Sequence, residues 1–252
     1  MFPYHDENDT QRTPWVTMAI IGLNVVVWLL VQGAGAMLPL ARSVCNLGLI
    51  PGELTGRLLP GAGFPMGENL KCVTDPGPQI SHLVTSMFLH GSWMHLLGNM
   101  WFLWLFGNNI EDSMTRPRFV FFYLLSGLAA ATLQVVTSPD SVVPMVGASG
   151  AISGVMGAYL VLYPRVRVFV MVPIGFLLQS MALPAWVMLL YWALLQILSG
   201  VMTAGAQGGG VAFWAHIGGF AAGVILVKMF ANSDYIAGHQ THQWQPRYQR
   251  WR

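Results

Sequence analysis

The sequence predicts an all-α polytopic membrane protein: a bundle of six transmembrane helices with a long external loop between the first and the second. Two observations carry that reading. Apolar residues make up 54% of the 252-residue chain and charged residues only 9%, where a soluble domain carries about 25% charged residues. The apolar residues also fall in uncharged runs of helix length, separated by short stretches where charge, Pro and Gly collect. A run of about 20 such residues crosses a hydrocarbon core of about 30 Å.

In chain order, the first eleven residues hold Asp6, Glu7 and Asp9 but no Lys or Arg, which argues against a signal-peptide n-region or a transit peptide. Segment one spans 15–31, with Asn24 expected on a protein-facing side. Ala34-Gly35-Ala36 has the small residues of a cleavage site, but the run before it is long for a signal h-region of about 7–15 residues. Residues 34–80 form the long Gly- and Pro-rich loop, part of it expected to be helical and to lie on the membrane surface. Segment two begins between 80 and 93 and ends near 106, followed by a charged turn over 108–118. Segments three and four cover about 119–136 and 146–163. Residues 168–178 are apolar but number only eleven and are broken by Pro173 and Gly175. They are too short to span and read as an interfacial or re-entrant piece. Segments five and six cover about 183–202 and 211–230. The chain thus divides into an N-terminal segment 1–14, a membrane domain 15–230 and a polar tail 231–252.

Six spans put both termini on one face. That face carries Arg12, Arg116, Arg118, Arg165, Arg167, Lys228, Arg247, Arg250 and Arg252, against Arg42, Arg57 and Lys71 on the other. The positive-inside rule makes the termini cytoplasmic and the long loop external, in a multi-pass protein expected in the cell (plasma) membrane. Cys45 and Cys72 both fall in that loop; facing an oxidising space they could pair, or stand as two separate thiols. The basic, aromatic tail from His239 to Arg252 could touch anionic headgroups or be a solvated end.

Polar and ionisable groups inside spans are costly and are functional candidates by default. Segments two, four and six all run inward, so His95 and Asn99, Ser149, and His216 reach a common depth in the outer half of the bilayer, with His90 just above. Ser149 lies between glycines, Gly147 and Gly150. A serine hydroxyl needs a neighbouring base, and a neutral His216 can accept its proton. All ten acidic residues lie outside the spans, so a Ser-His dyad without an acidic third member is expected; aromatic packing or a backbone carbonyl would have to hold the ring. His95 and Asn99, four apart on one helix face, can donate hydrogen bonds and, with the Ser149 backbone N–H, could cradle an oxyanion. Gly219 and Gly223 follow His216 on its face, and Gly150, Gly154 and Ala158 form a similar stripe. Close helix packing explains the glycines; it does not explain Ser149 or His216. No HExxH or CxxC is present, and neither a metal nor another cofactor is expected.

Three motifs resemble those of the rhomboid intramembrane serine proteases, in order and spacing. They are His90-Gly91-Ser92-Trp93-Met94-His95-Leu96-Leu97-Gly98-Asn99, the GxSG sequence Gly147-Ala148-Ser149-Gly150, and Ala215-His216-Ile217-Gly218-Gly219-Phe220-Ala221-Ala222-Gly223. GxSG alone is common; the three together are specific, and the resemblance covers roughly 80–230. It implies a rhomboid-like bundle, with Ser149 as nucleophile and His216 as base. His95, Asn99 and the Ser149 N–H would form the oxyanion site, with His90 supporting the first turn of segment two and Glu111 structural. The implied reaction is hydrolysis of a peptide bond in or near a transmembrane segment of a membrane-protein substrate. Two positions depart from the pattern. Ser81-His82 stands where members often have Trp-Arg, which bears on anchoring of the outer loop. Ser153 stands where some members have Tyr or Phe packed on the catalytic histidine, leaving the ring less tightly held or held by another aromatic. Inactive relatives lack the serine or the histidine; this chain keeps both.

Two other functions are open to such a sequence. A non-proteolytic membrane binder or quality-control factor on the same fold would leave Ser149 unreactive. A transporter or channel would line its spans with polar residues at every depth, whereas the cytoplasmic halves here are apolar. Nothing in the sequence reads as nucleic-acid binding. Segment five carries none of the proposed catalytic groups and is, on that ground alone, a candidate lateral gate.

Overall fold

The computed structural model describes residues 1–66, 70–175, 177–203 and 211–237. It opens with strand β1, Phe2–Asp6, and helix α1, Trp15–Val31, whose last turn widens into a π-helix. The long loop is folded: it holds α2 (Met37–Leu47), a single turn α3 (Pro51–Leu54), and a small hairpin of β2 (Gly63–Pro65) and β3 (Lys71–Val73). The pairing left open by the sequence is made: Cys45 on α2 and Cys72 on β3 form a disulfide. After α4 (His82–Thr85), α5 (Trp93–Phe102) runs through a π-helical turn into α6 (Asn108–Asp112). Then come α7 (Arg116–Thr137), α8 (Ser149–Leu162), β4 (Arg167–Ile174), β5 (Leu177–Pro184), α9 (Ala185–Met202) and α10 (Phe213–Phe230). Three of these, α7, α9 and α10, are long and apolar enough to cross a membrane. The apolar side chains that α9 leaves exposed, among them Trp186, Leu190, Leu194 and Leu198, suit lipid as solvent. The polar tail reading falls outside the described residues beyond 237.

Helix α8 is the axis of the molecule. Residues 150–159 are all buried, and α7 and α10 pack against it. The glycine stripes permit this. A Cβ on Gly219 would fall on the Gly150 carbonyl, and one on Gly223 on the Gly154 carbonyl, so α10 lies backbone to backbone on α8. With 14 residues, α8 is about 21 Å long, shorter than a hydrocarbon core. The chain from Val146 to Ala148 comes in as irregular backbone, and Ser149 is the first residue of the helix.

Two stretches differ from expectation. The apolar stretch read as too short to span is no short helix but the strands β4 and β5, paired antiparallel, and β1 adds a third strand in the order β1-β4-β5. The residues alternate as a strand requires: Val168 and Val170 are buried while Arg167 is exposed, and Gly175 turns the chain at φ +61°. Span length does not separate a strand from a short helix, and the strand that completes the sheet lies some 160 residues earlier in the chain. The charged turn also starts later than expected, because Glu111 and Asp112 are helical and buried. Glu111 accepts hydrogen bonds from the backbone N–H of Val16 (3.0 Å) and Thr17 (2.7 Å) and from the Thr17 hydroxyl (2.8 Å). These first-turn N–H groups of α1 have no helical partner, and a carboxylate suits that end of a helix. Asp112 pairs with Arg12 at 2.8 Å.

Beneath the bundle, Asp6 at the end of β1 is buried. It accepts from the Tyr159 hydroxyl at 2.5 Å and from the Asn109 amide at 3.0 Å. Desolvation pushes its carboxyl up to about 7, against the lowering effect of the Tyr159 hydrogen bond. The folded value lies above the roughly 3.9 of an unfolded Asp, so the folded state holds the proton. Its contribution is full below about pH 4 and is lost as pH rises through about 7. Amides of the β1–β4 pairing are therefore expected to exchange more slowly with deuterium at pH 5 than at pH 8 after correction for intrinsic rates, and Asp6→Asn should flatten that dependence. A wild-type protein with no such trend would refute the assignment.

Candidate active site

The helices that carry the singled-out residues all begin at the same end of the molecule. His95 and Asn99 are the third and seventh residues of α5, Ser149 the first of α8, His216 the fourth of α10. Ser92 caps α5, its hydroxyl accepting from the His95 N–H at 3.1 Å. At α10, the Gln134 side chain of α7 accepts from the Ala215 N–H at 3.2 Å, tying that helix start to its neighbour.

Ser149 and His216, 67 residues apart, meet: the Ser149 Oγ lies 2.8 Å from His216 Nε2. They share a cavity of about 580 Å³ with His95, Asn99 and Gly147, and its wall continues through Pro144–Val146 and Val211–Ala212, the backbone leading into α8 and α10. Gly147 fits only as glycine. Its φ is +128°, and a Cβ there would come within 2.8 Å of the His95 ring. Its N–H donates to the Ser86 carbonyl at 2.9 Å, and Leu49 and Met145 bridge in both directions. The folded loop thus holds the chain leading into Ser149. Asn99 is buried, its amide donating to the His95 carbonyl at 2.9 Å. His95 Nδ1 accepts from the Gly91 N–H at 3.3 Å. His90 is fully buried and meets the His95 ring edge-on at 5.1 Å.

Three contributors went unread in the sequence. Gln32 clamps His90 with both ends of its amide, donating to the His90 carbonyl and accepting from its N–H, each at 2.8 Å. Its signal was a polar residue closing an uncharged run. The other two sit on α9. Gln196 Oε1 lies 2.8 Å from His216 Nδ1, and the Trp192 ring packs 5.8 Å from the His216 ring at a 35° tilt. Segment five carries none of the proposed catalytic groups, but it does carry two side chains that contact His216. Gln196 could have been found, since it is a polar residue inside an apolar span. Trp192 supplies an aromatic where Ser153 does not; Ser153 instead turns its hydroxyl to the Ser149 carbonyl, 2.6 Å away. At the other departure, His82 is buried with Nδ1 4.0 Å from Glu53 of α3, so that position faces the folded loop.

A serine hydroxyl within hydrogen-bond reach of an imidazole, at the start of a central helix and beside a cavity lined by amide and imidazole groups, is what the site presents. Residues 77–233 match the Rhomboid domain, and the chain belongs to the rhomboid family. It is 31% identical over 170 residues to RHOMBOID-like protein 6, mitochondrial, of Arabidopsis thaliana, covering 60% of this chain and 52% of that protein. Over 111 residues it is 30% identical to Rhomboid protein 1, mitochondrial, of Saccharomyces cerevisiae, covering 41% and 32%. Over 78 residues it is 38% identical to Rhomboid protease GluP of Bacillus subtilis, covering 31% and 15%. The matches thus span about half the length of these relatives or less. They support an integral membrane protein; with mitochondrial proteins among them, they give the plasma membrane no preference.

Proposed function

We propose that the chain is an intramembrane serine endopeptidase that cleaves membrane-protein substrates in or near their transmembrane segments. The observation that carries this is the 2.8 Å approach of His216 Nε2 to Ser149 Oγ, inside a family some of whose members are named proteases. In the reaction, Ser149 Oγ bonds to the substrate carbonyl carbon as its proton passes to His216 Nε2. The C=O π electrons move onto oxygen. His95, Asn99 and the Ser149 N–H, a first-turn donor at the positive end of α8, stabilise that charge. His216 then gives its proton to the leaving amine, and water repeats the sequence on the acyl-enzyme. His90, Gly147, Gly150, Gly219 and Gly223 support the site by packing. No cofactor takes part.

The reading includes six spans: α1, α5 with its π-helical turn, α7, α8, α9 and α10. Both termini and the β1-β4-β5 sheet are cytoplasmic, the disulfide-bonded loop is external, and the cell membrane is the proposed location. The substrate segment must unwind locally, because a spanning helix hides its carbonyls in its own hydrogen bonds. A fluorophosphonate probe is expected to label purified protein at Ser149, located by peptide mass spectrometry, with labelling lost in His216→Ala. An unlabelled Ser149 in folded protein would point instead to a non-proteolytic rhomboid-like binder.

A further inference from the structure

We propose that Gln196 of α9 fixes the proton position and orientation of the His216 ring, so that the pair becomes a Ser–His–Gln chain of hydrogen bonds closed by a neutral amide. The inference rests on the catalytic reading above and adds a positioning residue to it. For Nε2 to take the Ser149 proton, the ring's own hydrogen must sit on Nδ1. Gln196 Oε1, 2.8 Å from Nδ1, is an acceptor for that hydrogen. With Oε1 toward the ring, as here, the other tautomer would set the Nδ1 lone pair against the amide oxygen, two acceptors in repulsion. The carboxylate that selects the tautomer in a Ser-His-Asp triad has no counterpart here, because all ten Asp and Glu lie outside the spans. An amide does that job without burying a charge in lipid.

The backing comes from one face of one helix. Trp192 and Gln196 are four residues apart on α9 and so lie on the same side: one packs beside the ring, the other meets its Nδ1 edge. During proton transfer the Nδ1–H stays on Gln196 while Nε2 receives and returns the proton. The amide orients the imidazolium but adds no negative charge, so its removal should cost less than loss of a triad carboxylate, where the wrong tautomer lowers kcat about 10⁴-fold.

The test uses full-length protein in lipid, with Gln196→Leu, Gln196→Glu and Ser149→Ala as a blank. Leucine keeps the bulk, suits an apolar span and removes the acceptor; glutamate keeps an oxygen at the same reach. Gln196→Leu is expected to lower kcat about tenfold to a hundredfold with KM within about twofold, and Gln196→Glu to recover most of the loss. Nitrogen-15 NMR of labelled histidine, with His216 assigned by its loss in His216→Ala, should find the Nδ1–H form in wild type and a mixture in Gln196→Leu. Wild-type kcat in Gln196→Leu, equal losses in both variants, or a wild-type ring protonated on Nε2 would each overturn the proposal. If wild type neither cleaves nor labels, the catalytic reading fails, while the tautomer measurement still decides whether Gln196 sets the ring.

Discussion

Replacing Ser149 by alanine is expected to abolish cleavage of a co-expressed membrane substrate while leaving the fold intact. The hydroxyl is the only atom removed, and its contact is with the His216 ring at 2.8 Å. The packing of α8 on α10 runs through the Gly150–Gly219 and Gly154–Gly223 contacts, which Ser149 does not share. Alanine also suits a helix. Removal of a serine nucleophile from a hydrolase costs about 10⁶-fold in kcat, so product should fall to background in a gel or fluorescence assay. The thermal midpoint should stay within about 2–3 °C, since a lone exposed-to-cavity hydrogen bond is worth about 1 kcal/mol. Full cleavage by folded Ser149→Ala would end the protease reading.

Gly147→Ala carries the second-largest expected effect, and it arises two residues away from the chemistry. At φ +128° an L side chain is strained, which costs on the order of 1–3 kcal/mol. The added methyl also meets the His95 ring at 2.8 Å. Something must give: either the ring swings away from the cavity, or the chain entering α8 shifts and carries Ser149 with it. Loss of one oxyanion donor costs about 10²–10³ in kcat, so cleavage should drop by at least about a hundredfold and the melting point should fall too. The discriminating companion is His95→Ala, which removes the obstructing ring. In the double variant the Gly147→Ala penalty on stability should shrink, because the steric part is gone and only the backbone strain is left. Wild-type turnover in Gly147→Ala would refute the steric account.

The chain's own letters were enough for its class and for the pair of side chains that the fold brings together. Hydrophobic runs of span length are a local property, and a hydroxyl or an imidazole in such a run is conspicuous because lipid penalises it. Ser149, His216, His95 and Asn99 were therefore legible without coordinates, as were the glycine stripes, since small residues every fourth position are the local requirement for close helices. The cysteine pair was visible as a possibility, and folding of the loop made it a bond.

What depended on the tertiary structure was every relation between distant segments whose residues look ordinary in place. The strand at 167–174 resembled a truncated span until β1, from the far end of the chain, supplied its hydrogen-bonding edge. Glu111 and Asp112 read as part of a charged turn, Glu111 with a structural role, and their partners appeared only when the start of α1 was set over them. Gln196 and Trp192 lay in the span that carries none of the proposed catalytic groups, and only the packing of α9 beside α10 put one on the His216 Nδ1 edge and the other beside its ring. Periodicity and lipid cost act along a single segment and can be read there, whereas a hydrogen bond between segments depends on which faces meet.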